Sequence, residues 1–312
     1  MLERSAEAIA QSAGLDLAVA RILARNEIPP DQTEAYLSPK LRDLLPDPKH
    51  LLDLEKAVER IATAVEQKHK VAIFADYDVD GGASAALLLD WLRAVGHTAT
   101  LYVPDRLLEG YGPNVEAMKQ LSQDHDLIIC VDCGTLSHEP IAAAEAADVI
   151  VIDHHLGATT LPPALAVVNP NRDDETSPLT NLCAAGVTFL VLVALNSYWR
   201  AQNRQCPDLL KMLDLVALAT VADVSPLTGL NRAFVVQGLK VLATRSRPGL
   251  AALSDIANLN SAPTSYHLGF VFGPRINAGG KDRCSRYGCK AVIQCRGPRS
   301  TANCTGIGRP ER

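Results

Sequence analysis

The segment that most constrains how this chain can fold is 71–84, VAIFADYDVDGGAS. Val71, Ala72, Ile73, Phe74 and Ala75 make an unbroken apolar run suited to a buried strand. Asp76, Asp78 and Asp80 then alternate through a short turn, and Gly81-Gly82 opens an apolar run with helical spacing over 83–95. A strand that passes through such a turn into a helix places polar groups at the carboxyl edge of an α/β sheet. Carboxylates crowded on so short a turn repel one another unless a cation lies among them. The glycines permit close backbone approach, and a helix start directs N–H groups at a bound anion. Taken alone, the same residues also fit a solvated acidic turn with an aspartate N-cap.

The rest of the chain repeats the strand-and-helix rhythm. Strand patterns fall at 98–103, 127–131, 148–152 and 165–168, and helical spacing recurs from Asp53, over 83–95 and over 138–147. The connections are short enough for right-handed βαβ crossovers, so the expected fold is α/β, a doubly wound, mostly parallel sheet with flanking helices. A content of 47% hydrophobic but only 4% aromatic residues agrees with an aliphatic core between such layers. Residues 184–258 read as four helices, 184–199, 209–221, 230–244 and 249–258, a helical connecting segment after the sheet. Residues 1–50 are helical and irregular, with helical spacing over 15–26 and prolines 29, 30, 39, 46 and 48 after it. The first 25 residues contain Glu3, Glu7 and Asp16 and no continuous apolar core, so no signal peptide is expected. The longest apolar run, 183–195, is too short to span a bilayer and predicts a buried helix. A cytoplasmic protein with reduced cysteines is the expectation.

Three of the predicted strands end in potential ligands: Asp76, Asp78 and Asp80 after the first, Asp132 after another, and Asp153-His154-His155 after a third. In a parallel sheet these ends share one edge. Asp223, after the helix at 209–221, is a further candidate. Carboxylates with one or two imidazoles favour Mn²⁺ or Mg²⁺ over zinc. Five or six ligands are too many for one catalytic ion with open positions, so two divalent cations are expected, ~3.5–4 Å apart as in hydrolytic metal pairs. Asp132 before Cys-Gly also fits a plain turn former. Cys130 and Cys133 form a CxxC pair, but no second pair supports zinc, and Cys130 lies inside a strand.

Composition changes near the carboxyl end. Residues 281–312 hold eight Lys and Arg against two Asp and Glu, in a chain of net charge −5. They also hold four of the eight cysteines, Cys284, Cys289, Cys295 and Cys304, at spacings unsuited to zinc, and no apolar periodicity.

These motifs together resemble the DHH phosphoesterases, and within them the RecJ-type single-strand-specific exonucleases. ADYDVDG (75–81), VDCG (131–134), IDHH (152–155) and ATVADVSPL (219–227) resemble the four phosphoesterase motifs in order. VPDRLLEGYGPN (103–114), NLCAAGVTF (181–189), FGPRINAGG (272–280) and the lead-in from ILARNEIPP to LSPKLRDLLPDP resemble the RecJ type in particular. The resemblance covers about residues 20–280 and implies hydrolysis of single-stranded DNA from its 5′ end, releasing 5′-mononucleotides, in DNA repair and recombination. Carried over by position, Asp76, Asp78, Asp80, Asp132, His154 and Asp223 would ligate two Mn²⁺ or Mg²⁺ ions, with Asp132 bridging them. Asp132, His154 and His155 would be catalytic, and His155 would contact the scissile phosphate. Arg106 would read a 5′-phosphate, and Arg275 and Asn277 would touch the nucleic acid. The implied partners are single-stranded DNA, a single-strand-binding protein and a helicase, with no membrane.

The expected organisation is a helical lead-in at 1–50 and a DHH metal-binding α/β domain at 51–228. A helical connector and the start of a second, DHHA1-like region follow at 229–280. The family pattern stops after Gly279-Gly280. Residues 281–312 are therefore expected to be an aberrant, disordered tail from a shifted reading frame, with activity impaired by loss of the carboxyl-terminal half. Two other functions fit parts of the pattern: a DHH phosphoesterase acting on short oligonucleotides, pyrophosphate or polyphosphate, and a non-catalytic binding fragment.

Overall fold

The structure is a computed structural model that describes residues 2–47, 50–106 and 109–281. Five apolar segments pair as one sheet: β1 (Val71–Ala75), β2 (Ala99–Tyr102), β3 (Leu127–Val131), β4 (Asp148–Ile152) and β5 (Ala166–Val168). The order is β2-β1-β3-β4-β5 and every pairing is parallel, the doubly wound arrangement expected. The direction of winding reverses between β1 and β3, so the carboxyl ends of those two strands flank a topological switch point.

Helices in chain order are α1 (Leu2–Ala13), α2 (Leu17–Arg25), α3 (Thr33–Leu37), α4 (Leu41–Leu44) and α5 (Leu54–Glu66). Then come α6 (Val79–Ala94), α7 (Val115–Asp124), α8 (His138–Ala142), α9 (Ala184–Ala201) and α10 (Leu213–Ala222). The last are α11 (Gly229–Ala243), α12 (Pro248–Ile256), α13 (Ser265–His267) and α14 (Gly273–Lys281).

Strand side chains alternate between two cores. Ile73, Ile129, Val131 and Ile152 face a large core shared with α5, α6, α9 and α10. Phe74, Ile128, Cys130 and Val151 face a smaller one with Met118 and Leu121 of α7 and Ile141 of α8. Cys130 is plain core, as its place in the strand requires. Helices α1 and α2 close a separate small cluster around Ile9 and Leu23.

Several boundaries differ from the sequence expectation. Helix α6 starts at Val79 rather than 83, because Asp78 caps it by accepting Asp80 N and Gly81 N. Helix α8 ends at Ala142 rather than 147, since the chain must turn back to begin β4 at Asp148 despite its alanine-rich sequence. The helix expected over 209–221 is a 3₁₀ turn, Leu209–Met212, followed by α10. Helix α9 runs to Ala201 and, at 18 residues, is long and apolar enough to cross a membrane, where the apolar run alone was too short. Its Phe189, Leu190 and Leu195 are buried in the main core, which makes it a core helix. Its exposed end is polar, and therefore the hydrophobic run stops before the helix does. The expected features of 282–312, including Cys284, Cys289, Cys295 and Cys304, lie outside the described residues.

Candidate metal centre

The ladder register sets the site. Ala75 pairs with Val131, Val131 with Ile152, and Ile152 with Val168. The next residue of each strand, Asp76, Asp132, Asp153 and Asn169, therefore stands in one row across the carboxyl edge. Their backbones continue the ladder: Asp132 N donates to Ile152 O at 2.9 Å and Asp153 N to Val168 O at 3.1 Å.

The start of α6 folds back against this row. Gly81 packs so closely on β1 that a Cβ there would lie 2.5 Å from Asp76 O, which no other residue could fit. Asp80, in the first turn of α6, is buried and accepts Ala184 N at 2.7 Å and Ala185 N at 2.8 Å from the start of α9. Asp223 follows α10, whose end reaches the same edge. Two non-glycine residues here have left-handed backbones, Asp132 at φ 60° and the β-branched Val224 at φ 59°. Such conformations cost of order 1–3 kcal/mol each and persist where surrounding structure imposes them.

Three sets of potential ligand atoms lie within 4.8 Å of one another: Asp76, Asp78 and Asp132; Asp80, His154 and Asp223; and Asp132, His154 and His155. Asp132 joins the first set to the third, and His154 joins the third to the second. His154 Nε2 is 3.3 Å from Asp132 Oδ1 and 3.7 Å from Asp80 Oδ2, and its Nδ1 is 3.9 Å from Asp223 Oδ2.

Arg106 and Arg275 are exposed and outside these sets. The Arg106 guanidinium lies 5.0 Å from the Tyr77 ring centre, and its charge reaches Asp76. Arg275 Nη1 donates to Val271 O at 2.8 Å. Asn277 Oδ1 accepts Val79 N at 3.1 Å, tying α14 to the start of α6.

Supporting residues outside the expected ligand set hold the two histidines. Asp153 Oδ1 accepts His154 N at 2.8 Å, His155 N at 3.2 Å and His155 Nδ1 at 2.7 Å, while Oδ2 accepts Thr135 N at 3.0 Å. Asn169 Nδ2 donates to His155 O at 2.8 Å, and Asn171 Nδ2 donates to His154 O at 2.6 Å. The Tyr111 hydroxyl lies 3.1 Å from His155 Nε2. Asn169-Pro170 looks in sequence like a simple strand terminator; only the register shows that it sits behind the histidines.

The electrostatics separate these groups. Burial, then the charge of Asp78, pushes the Asp76 carboxyl up to about 7. Burial and neighbouring aspartates hold Asp80 and Asp132 well above the usual carboxylate range, and burial also raises Asp223. Burial lowers His154. Burial alone would raise Asp153, but its hydrogen bonds from His155 and Thr135 and the His155 charge hold it at about 2. The same bond raises His155.

The donor set fits hard divalent cations. Asp132 Oδ1 is buried and makes no hydrogen bond, and cations would relieve the repulsion among the raised carboxylates. Carboxylate oxygen with imidazole suits Mn²⁺ or Mg²⁺.

A model described as "DHH family, N-terminal domain" matches residues 70–220. The chain is 38% identical to the single-stranded-DNA-specific exonuclease RecJ of Dickeya dadantii, over 83% of this chain and 48% of that protein. It is 39% identical to the Escherichia coli protein of the same name, over 75% of this chain and 42% of that one. The chain thus spans about half the length of the curated relatives it matches. A solved exonuclease RecJ bound to manganese superposes with a TM-score of 0.70 and 32% identity, over 80% of this chain and 62% of that one. Thermus thermophilus RecJ in complex with Mn²⁺ gives a TM-score of 0.76 at 27% identity, over 93% of this chain and 41% of that one. Residues 70–220 are therefore a DHH-family amino-terminal domain, and the chain is a homologue of the RecJ-type exonucleases.

Proposed function

We propose that this chain carries the hydrolytic centre of an exonuclease that cuts phosphodiester bonds of single-stranded DNA from the 5′ end and releases 5′-mononucleotides. The observation that carries the reading is the pair of ligand sets, Asp76-Asp78-Asp132 and Asp80-His154-Asp223, brought together by Asp132 and His154. In this reading Asp76, Asp78, Asp80, Asp132, His154 and Asp223 hold two Mn²⁺ or Mg²⁺ ions. Such ions, when bound, supply positive charge against the phosphate and acidify water.

The protein groups do the rest. Asp153 fixes the His155 ring through Nδ1 and favours its protonated form, which suits Nε2 to donate to a phosphate oxygen. Asn169 and Asn171 fix the backbone carbonyls of both histidines. Arg106 offers a planar fork to a terminal phosphate, and Arg275 and Asn277 take the backbone beyond it. This reading implies a single-strand-binding protein and a helicase as partners that supply the strand, and a cytoplasmic setting.

The test offers 5′-labelled single-stranded DNA and pyrophosphate side by side with Mn²⁺. Release of labelled mononucleotide is the expected result; turnover of pyrophosphate alone would transfer the site to small substrates. Asp132→Ala should leave less than about a tenth of the activity, because it removes a group common to two ligand sets. Arg106→Ala should erase the preference for a phosphorylated 5′ end while Mn²⁺ affinity holds.

A further inference from the structure

Helix α13 runs directly into a π-helical turn, Leu268–Phe272, and then into α14. Leu268 and Phe272 are fully buried in the main core. Gly269 lies against Val221, where a Cβ would meet Val221 Cγ1 at 3.3 Å. The turn is therefore seated on the last turn of α10, two residues before Asp223. π-Helical turns are rare and recur at functional sites.

The outer side of this turn is aromatic. Tyr266 is 62% exposed and Phe270 is 70% exposed. Their rings stack on each other, with centroids 5.1 Å apart and planes at 26°. The charge of the stretch is also selective: residues 256–281 contain no Asp or Glu, although the chain has 35. Arg275 is exposed, and its guanidinium is tied to the same turn through Val271 O at 2.8 Å.

We propose that Tyr266 and Phe270 form a base-stacking platform for a single nucleic-acid strand, with its phosphates directed toward Arg275, beside the Asp223 edge of the metal centre. The inference rests on the single-strand reading above and adds to it where the bases go. A single strand presents π faces and phosphates in one ligand, which matches an aromatic pair on a stretch that carries a cation and no carboxylate of its own. Stacking on exposed aromatics holds bases without reading sequence, because every base has a π face.

The experiment uses the full chain with Mn²⁺ and a phosphorothioate-linked oligothymidylate that resists hydrolysis. Tyr266→Ala/Phe270→Ala should weaken binding by roughly 5-fold or more, with the melting temperature and Mn²⁺ affinity unchanged. An abasic strand of equal length should bind wild type and variant alike. In Tyr266→Trp, the indole fluorescence should be quenched by the oligothymidylate and not by the abasic strand. Equal affinity of wild type and double variant, with no quenching, would overturn the platform and leave the single-strand reading standing. Loss of self-association in the double variant with unchanged oligonucleotide affinity would assign the patch to protein contact instead and also overturn it. No binding of the strand by wild type would remove both readings.

Discussion

Asp132 and Asp153 end adjacent parallel strands, yet their environments push them in opposite directions. Asp153 has backbone N–H donors and a histidine on its oxygens, and is held at about 2. Asp132 has a buried oxygen that makes no hydrogen bond and is held high by burial and its neighbours. One aspartate is satisfied by the architecture around it, and the other is not. Asp153→Asn replaces one acceptor by a donor facing buried N–H groups, so stability should fall by about 1–3 kcal/mol. Urea unfolding measures this, and NMR titration should show the His155 pKa dropping toward its ordinary value. Asp76 supplies a pH test in metal-free protein. Its folded pKa is raised from 3.8 to about 7, so the folded state binds more protons across that window, and stability falls as pH rises from about 4 to about 7. Asp80, Asp132 and Asp223 act in the same sense; Asp153 acts oppositely, losing its contribution only as pH falls below about 4. Asp76→Asn should thus gain stability over wild type as pH goes from 4.5 to 7.5, by up to about 3 kcal/mol, since roughly 1.4 kcal/mol per pH unit accrues only up to the folded pKa of about 7. Parallel melting curves at the two pH values would refute this.

Helices α6 and α10 carry candidate ligands at one end and are joined elsewhere by a buried arginine. Arg247 Nε donates to Asp214 of α10 at 3.0 Å, and Nη1 donates to Asp90 of α6 at 2.9 Å. Arg247→Leu would leave Asp214 buried and uncompensated, so a loss of about 3–5 kcal/mol is expected in chemical unfolding. Arg247→Leu with Asp214→Leu should recover much of it. Legibility in the sequence also divides at this scale. Apolar runs ending in Asp, as in IFAD and ICVD, identify β1 and β3 and their edge by local pattern alone. The start of α6 escapes such a pattern because Asp78 turns the chain into a helix before the apolar spacing begins. The use of Asp80 by the α9 amides, and of Asn169 and Asn171 by the histidine carbonyls, depends on register and distant packing. No local period encodes those partners, so they emerge only in three dimensions.

In the whole molecule, binding and stability are coupled through the crowded carboxylates. Mn²⁺ that binds the folded chain alone should raise stability by about 2.7 kcal/mol at a hundredfold excess over Kd, and EDTA should reverse it. Calorimetry with and without the ion checks this, and Asp132→Ala should remove most of the gain. The level alignment of Asp76, Asp132, Asp153 and Asn169 has a mechanical consequence. A single-rung slip in any one ladder would turn the following side chain to the opposite face, so no partly shifted sheet can present the same pocket. The hydrogen-bonded rungs act as a ruler for atoms contributed by remote stretches of chain. Heating should therefore abolish ion uptake in one step, at the temperature where the strands part, and not by gradual loosening below it.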